Sequence, residues 1–126
     1  MRAIKILALT GAFMMAATAP ALAEQRPRSS LKVAVTVADT TKVVRLTCDR
    51  DGGNHPTPRA ACRLLRAVKG KPARLEVKKD PICTKEFRPH RVEIWGAWRG
   101  KPVRFTKTYS NACLMTAAGG AVYFTL

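Results

Sequence analysis

The sequence predicts an α+β domain, a five-stranded antiparallel sheet covered on one face by one or two helices. Three stretches predict it. Leu31-Lys32-Val33-Ala34-Val35-Thr36-Val37 repeats with period two and reads as a strand with one apolar face. Ala61, Leu64, Leu65 and Val68 fall at i, i+3, i+4 and i+7, which makes one apolar stripe on a helix. Residues 91–98 and 101–109 flank Arg99-Gly100, a two-residue hairpin signal.

The remaining elements follow in order. Residues 24–30 are polar and read as a loose N-terminal arm ahead of a domain spanning 31–126. After a turn at Asp39-Thr40, the β-branched run 41–48 predicts the second strand. Residues 49–56, rich in Gly and Asp, predict a loop. Thr57 is placed to cap a helix that opens on Pro58 and stops at Gly70. Residues 72–79 are irregular, with room for a short turn. Residues 110–115 predict a short helix or turn carrying Cys113, and 121–126, after Gly119-Gly120, predict the fifth strand.

The N-terminus points to secretion. Arg2 and Lys5 precede an uncharged apolar run over 6–19, and Ala21-Leu22-Ala23 is a small-x-small cleavage site. Residues 1–23 therefore read as a signal peptide, too short for a membrane span. The chain carries 23 Lys plus Arg against 8 Asp plus Glu, a formal charge of +15, of which Arg2 and Lys5 leave with the leader. Such a charge favours weak binding to anionic surfaces. The basic residues are spread along the chain without interleaved aromatics, so specific nucleic-acid binding is not predicted.

Cys48, Cys62, Cys83 and Cys113 all lie beyond the leader. Four cysteines in an oxidising compartment read as two disulfides with three possible connectivities. Sequential pairing would close one short and one longer loop, the first contributing about 3 kcal/mol. No two cysteines have the short spacing of a zinc knuckle, and only His55 and His90 could assist, so no metal and no cofactor is expected. There is no glycine-rich phosphate loop, nucleophile elbow or paired-carboxylate motif. The chain reads as a binding protein with no catalytic residues.

The candidate site is Cys83-Thr84-Lys85-Glu86-Phe87-Arg88-Pro89. Pro81 and Pro89 bound it, disfavour helix and stiffen an extended backbone. If Cys83 is in a disulfide, Lys85 stands on a tethered, solvent-facing loop. That is the form in which a trypsin-like protease accepts a substrate, and in which a substrate-like inhibitor blocks one.

Several motifs occur together in a fixed order: Leu46-Thr47-Cys48-Asp49, Gly53-Asn54-His55-Pro56-Thr57-Pro58, Ala60-Ala61-Cys62, Cys83 with Pro89 six residues on, Trp98-Arg99-Gly100-Lys101-Pro102-Val103, Tyr109-Ser110-Asn111-Ala112-Cys113 and Val122-Tyr123-Phe124. In this the chain resembles the Streptomyces subtilisin inhibitor family over residues 31–126. The resemblance implies a secreted, reversible, substrate-like serine protease inhibitor with sequential disulfides and a homodimer formed through the sheet. It implies a reactive bond after the second residue beyond the third cysteine, here Lys85–Glu86. Cys83, Thr84 and Phe87 become flanking protease contacts, and Asn111 matches a family asparagine that braces the loop. Glu86 stands where the family usually has an apolar residue and Thr84 where proline is frequent, while Thr116-Ala117-Ala118-Gly119 replaces the family's asparagine-alanine-histidine-glycine.

Two function classes follow. One is an inhibitor of trypsin-like proteases first and subtilisin-like proteases second. The other is a cationic surface-binding or antimicrobial protein on the same scaffold. Only the first needs Lys85 on an anchored loop.

Overall fold

The computed structural model describes residues 11–12 and 27–126; the expected leader, apart from residues 11 and 12, and residues 24–26 of the expected arm lie outside the described residues. The strands are β1 (Ser30–Val37), β2 (Thr40–Cys48), β3 (Asp51–Gly53), β4 (His90–Trp98) and β5 (Lys101–Tyr109), with helices α1 (Pro58–Ala67) and α2 (Ala112–Gly119). The sheet order is β3-β2-β1-β4-β5, with every neighbouring pair antiparallel. The α+β class, the five-stranded antiparallel sheet and the two helices are as the sequence predicts.

One face of the sheet makes the core. Leu31, Val33 and Val35 of β1 lie in register with Leu46 and Val44 of β2 and with Ile94 and Val92 of β4. Onto this face pack Ala61, Cys62 and Leu65 of α1, with Val122 and Tyr123 near the C-terminus. Each fully buried Leu or Ile contributes about 2 kcal/mol relative to an exposed one. The helical stripe read from the sequence is the packed face, with Leu64 and Val68 half-buried beside Ala61 and Leu65.

Local chemistry sets the joints. Arg99 and Gly100 both take positive φ, which matches a two-residue turn to the twist of β4 and β5. At the end of α1, Gly70 N–H donates to Leu65 C=O at 2.8 Å. A side chain on Gly70 would lie 2.1 Å from Trp98 Cγ, so glycine there both turns the chain and admits the indole. The Cys48–Cys62 disulfide, with Cα atoms 5.5 Å apart, ties α1 to the end of β2. Beside it the Arg66 guanidinium donates to Cys48 C=O at 3.0 Å and pairs with the Asp51 carboxylate.

Four expectations need correction. The fifth strand is β3, within the stretch read as loop; residues 121–126 are not a strand. Gly53 reaches positive φ where a Cβ would lie 2.2 Å from Arg45 C=O, so glycine is what lets β3 close onto β2. At the C-terminus Gly120–Tyr123 is a single 3₁₀ turn. It buries the consecutive residues Val122 and Tyr123 in the core cluster. Thr57 occupies the N-cap position of α1, but its side chain makes no capping bond; its N–H donates instead to His55 Nδ1 at 3.0 Å. The described end of the arm is held: Ser29 is buried, its N–H donates to Asp49 Oδ1 at 3.1 Å, and its Oγ accepts from Arg99 N–H at 3.0 Å.

His55 is buried as a neutral ring. Nδ1 accepts from Thr57, so Nε2 carries the proton and donates to Val122 C=O at 3.2 Å. Burial lowers its pKa below the ordinary 6.5, partly offset by the backbone acceptors Val122 and Ala121. A lowered folded pKa means that the unfolded chain binds the proton first. The His55 contribution to stability is therefore complete above pH 6.5, falls as pH drops below it, and levels off beneath the folded value. Denaturant melts between about pH 5 and 8 should show this slope, and His55→Gln should flatten it; an unchanged slope would remove His55 as its source.

Candidate functional site: a clamped extended loop

The chain between the 3₁₀ turn Pro72–Arg74 and β4 begins against α2 and ends against the residues preceding it. Val77 and Lys78 N–H donate to the C=O groups of Ala118 and Ala117 at 3.1 and 2.8 Å. From Pro81 to Pro89 the backbone is extended, without a turn or bend, as the flanking prolines predict. Thr84, Lys85, Glu86, Phe87 and Arg88 are all exposed.

Three ties hold this segment. Cys83 is bonded to Cys113, with Cα atoms 5.8 Å apart, which completes the sequential pairing. Arg88 N–H donates to Ser110 C=O at 2.7 Å. Between them the Asn111 amide donates to Thr84 C=O at 3.1 Å and to Glu86 C=O at 2.9 Å. Just past this segment, His90 Nδ1 donates to Arg88 C=O at 2.7 Å and so braces the approach to β4.

Asn111 can do this because its own position is fixed. It is 4% exposed and sits at the N-cap of α2, where its Oδ1 accepts from Leu114 N–H at 2.9 Å. With the oxygen committed to the helix, the amide nitrogen must point at the loop, and its two protons meet the two carbonyls. Those carbonyls belong to the residues on either side of Lys85. Among the described residues no hydrogen bond engages the Lys85 carbonyl. The arrangement fixes the backbone around one peptide bond and leaves that bond's carbonyl open to an outside donor.

The sequence-predicted residues thus fall into one place. Lys85 and Glu86 stand at the crest of the segment, Thr84 and Phe87 flank them, Cys83 anchors the approach and Asn111 lies beneath. Phe87 is 79% exposed, its ring open to contact from outside. Ile82, 99% exposed just before Cys83, is a further apolar contact candidate that the sequence reading passed over. Its signal was an isoleucine in an otherwise polar stretch next to the third cysteine. Ser110 also escaped notice, because its contribution is a backbone carbonyl, which no residue type announces. His55 and His90 are far from forming a catalytic pair: each ring nitrogen bond described above goes to the backbone. Among the described residues no group of three metal-ligating side chains occurs, and no helix is long and apolar enough to cross a membrane.

Known proteins are similar to this chain. The family model described as subtilisin inhibitor-like matches residues 28–111. A "Subtilisin inhibitor" of Streptomyces violaceus is 49% identical over 81 residues, 63% of this chain and 56% of that protein. "Subtilisin inhibitor-like protein 5" of Streptomyces fradiae is 40% identical over 83 residues, 65% of this chain and 78% of that protein. The match therefore spans little more than half the length of the first relative and about four-fifths of the second. Among solved structures, Streptomyces caespitosus sermetstatin, crystallised in complex with Bacillus licheniformis subtilisin, superposes with a TM-score of 0.60 at 30% identity, covering 75% of this chain and 96% of that one. With a matching family model over most of its described length and relatives named as protease inhibitors, the chain belongs to the subtilisin inhibitor-like family.

Proposed function

We propose that this chain is a secreted inhibitor of serine proteases that acts as a tethered substrate, with Lys85–Glu86 as the reactive bond. The observation that carries the reading is the Asn111 clamp on the two carbonyls flanking Lys85. A loop already held in an extended form loses little conformational entropy when a protease binds it. The free Lys85 carbonyl is then available to the enzyme's serine and oxyanion hole. The Lys85 side chain enters the primary pocket, where an aspartate in trypsin-like enzymes pairs with an ammonium. Cutting the bond would not release the new ends. Cys83–Cys113 holds the acyl side, and the Arg88–Ser110 bond and β4 hold the amine side, so rejoining competes with departure.

Trypsin-like enzymes are the first expected target, and subtilisin-like enzymes, which accept varied residues before the bond, the second. Relatives carrying names such as "Subtilisin inhibitor" support the inhibitor class. Titration of the oxidised protein against trypsin and subtilisin, with mass spectrometry of the complex, tests it. Stoichiometric inhibition with any slow nick at Lys85–Glu86 is expected; rapid turnover of that bond without inhibition would sink the proposal. The cationic-binder reading is favoured by the charge, which salt screens, whereas loop insertion should persist at physiological ionic strength.

Lys85→Ala should weaken trypsin inhibition by about 2–4 kcal/mol, roughly thirtyfold to a thousandfold, because a buried charged anchor is lost. Equal inhibition constants for the two proteins would move the reactive bond elsewhere. Asn111→Asp separates the two tasks of Asn111, since it keeps an oxygen to cap α2 but loses both donors to the loop. Two hydrogen bonds at about 0.5–1.5 kcal/mol each predict inhibition weakened roughly fivefold to 150-fold and faster hydrolysis at Lys85–Glu86. The measurement pairs an inhibition constant with a thermal melt, and a variant that melts early but inhibits normally would show the clamp to be incidental.

A homodimer through the sheet belongs to the same proposal. The face opposite the core would meet a second copy, with Val43 as an exposed apolar contact. Lys32 and Arg45 on that face repel their counterparts until salt screens them. Sedimentation should therefore show self-association strengthening as ionic strength rises. Association that weakens with salt would rule out this face as the contact.

A further inference from the structure

The core face of the sheet is not covered to its end. Directly opposed residues share a face, so Lys42, Val35 and Val92 form one row across β2, β1 and β4, and Thr40, Val37 and His90 form the next. Val35 and Val92 are buried in the core. On the same face, however, Lys42 and Thr40 are exposed, and Val37 and His90 are only half-buried. Here the face opens into a groove of about 650 Å³, bounded by these strand ends, α2, Glu86 and Arg88 of the loop, and residues 124–126.

The groove combines apolar surface with unpaired cations. Val35, Met115 and Tyr123, all buried core residues, line it, while Phe124 and Leu126, 38% and 84% exposed, stand open beside them. Lys42 and Arg88 line it too, against a single acidic side chain, Glu86. Among the described residues the only ion pairs are Arg66–Asp51 and Arg91–Glu93, so neither cation is neutralised by a neighbour. The volume falls within the range of about 300–1,000 Å³ that holds small ligands. The groove lies on the opposite side of the sheet from the face given to the second copy, so a dimer leaves it open.

We propose that this groove binds a monomeric linear amphiphile with an anionic head, of the class of medium-chain fatty acids. The tail lies on Val37, Met115 and Phe124, and the carboxylate is held by Lys42 and Arg88. Seating the tail removes its own apolar surface and that of the exposed Phe124 and Leu126 from water together. A hydrophilic polyanion would leave that apolar surface wet, and a neutral hydrocarbon would leave both cations without a partner. A carboxylate on an aliphatic chain satisfies both. The groove stands apart from the inhibitory reading, since its occupation needs no protease.

The test is calorimetric titration of the oxidised protein with octanoate, decanoate and dodecanoate at physiological salt, each below the concentration at which it forms micelles. Binding should saturate at one ligand per chain, and affinity should rise roughly twofold to fourfold per added CH₂, the step for a half-buried to fully buried methylene. Affinity that does not depend on tail length, or uptake of many ligands per chain without saturation, overturns the proposal. Lys42→Gln/Arg88→Gln is compared with Arg59→Gln/Arg63→Gln, which removes the same charge from exposed positions on α1. The groove variant should bind dodecanoate roughly tenfold more weakly, through loss of two charged contacts, and the α1 variant less than about threefold. Equal losses would mean that net charge alone attracts the anion, and the proposal fails. Lys42→Arg/Arg88→Lys keeps both charges and should keep most of the affinity, which separates loss of the site from loss of the fold. The methyl resonances of Val37 and Met115 should shift on saturation while those of Val103, outside the groove, stay in place; no shift at the first two overturns the placement. Binding to phosphatidylglycerol vesicles without binding to monomeric dodecanoate would overturn the assignment in favour of a membrane surface. None of these measurements involves a protease, so failure here and failure of the inhibitory reading are told apart.

Discussion

One amide group couples the helix that follows β5 to the loop that precedes β4. Asn111 caps α2 with its oxygen and holds the loop with its nitrogen, and neither task works well without the other. The cap fixes which way the amide faces; the loop carbonyls satisfy the two donors that a buried amide would otherwise leave unpaired, at a cost of about 1–3 kcal/mol for an orphaned group. Everything at the crest of the loop depends on this. Lys85 and Glu86 are exposed, so no packing from their own side chains can order them. Their order comes from beneath, through backbone contacts that leave the side chains free to be read by another protein.

The two disulfides divide the work of stabilising such a structure. Cys48–Cys62 joins α1 to β2 inside the core, where Cys62 is fully buried, and supports the fold itself. Cys83–Cys113 lies at the surface and joins the loop to α2 just after the residue that clamps it. A domain of this size buries a modest core, and a loop with no buried apolar side chain contributes nothing to it. A covalent tie and three hydrogen-bonded carbonyls (Thr84, Glu86 and Ser110) substitute for that missing burial. This explains why both partners of the loop, Ser110 and Asn111, sit at the sharp transition from β5 into α2, where backbone groups are unpaired and a side chain is needed to cap the helix.

Most of the fold was legible because its core face obeys simple periods. β1, α1 and the β4–β5 hairpin each carry a clear pattern, and each forms where the pattern places it. The failures are at the ends of the sheet. β3 is three residues of Asp and Gly with no apolar alternation to detect; it exists because Gly53 can approach Arg45 C=O where any side chain would collide. The C-terminal run looked like a strand from composition, yet Gly119 and Gly120 let the chain fold back. A Cβ on Gly119 would lie 2.1 Å from the Tyr123 ring, so this glycine is a seat for that aromatic. In the candidate site the exposed loop around Lys85 was legible from Cys83 and the flanking prolines, and Asn111 only through its match to a family asparagine. Ser110 was not, because a carbonyl acceptor is supplied equally by every residue type.

Burial on the core face also explains the character of the opposite one. Tyr109 and Tyr123 share a hydrogen bond at 3.1 Å in the core, and burial, with that bond, raises the Tyr123 pKa, so the Tyr123 phenol stays neutral there. The charge of the chain has nowhere to go but outward, and antiparallel register then sorts it into rows. On α1 the cations face solvent beside a carboxylate, Asp51, that ties one of them down. Across the open sheet face the register instead sets Arg45, Lys32 and Arg104 around one tryptophan, with the nearest carboxylate already paired. A sheet face that served only as a solvated surface would gain from mixing its charges, because like charges directly across strands are destabilising. Concentrating three cations on one register line carries that penalty, which salt screens.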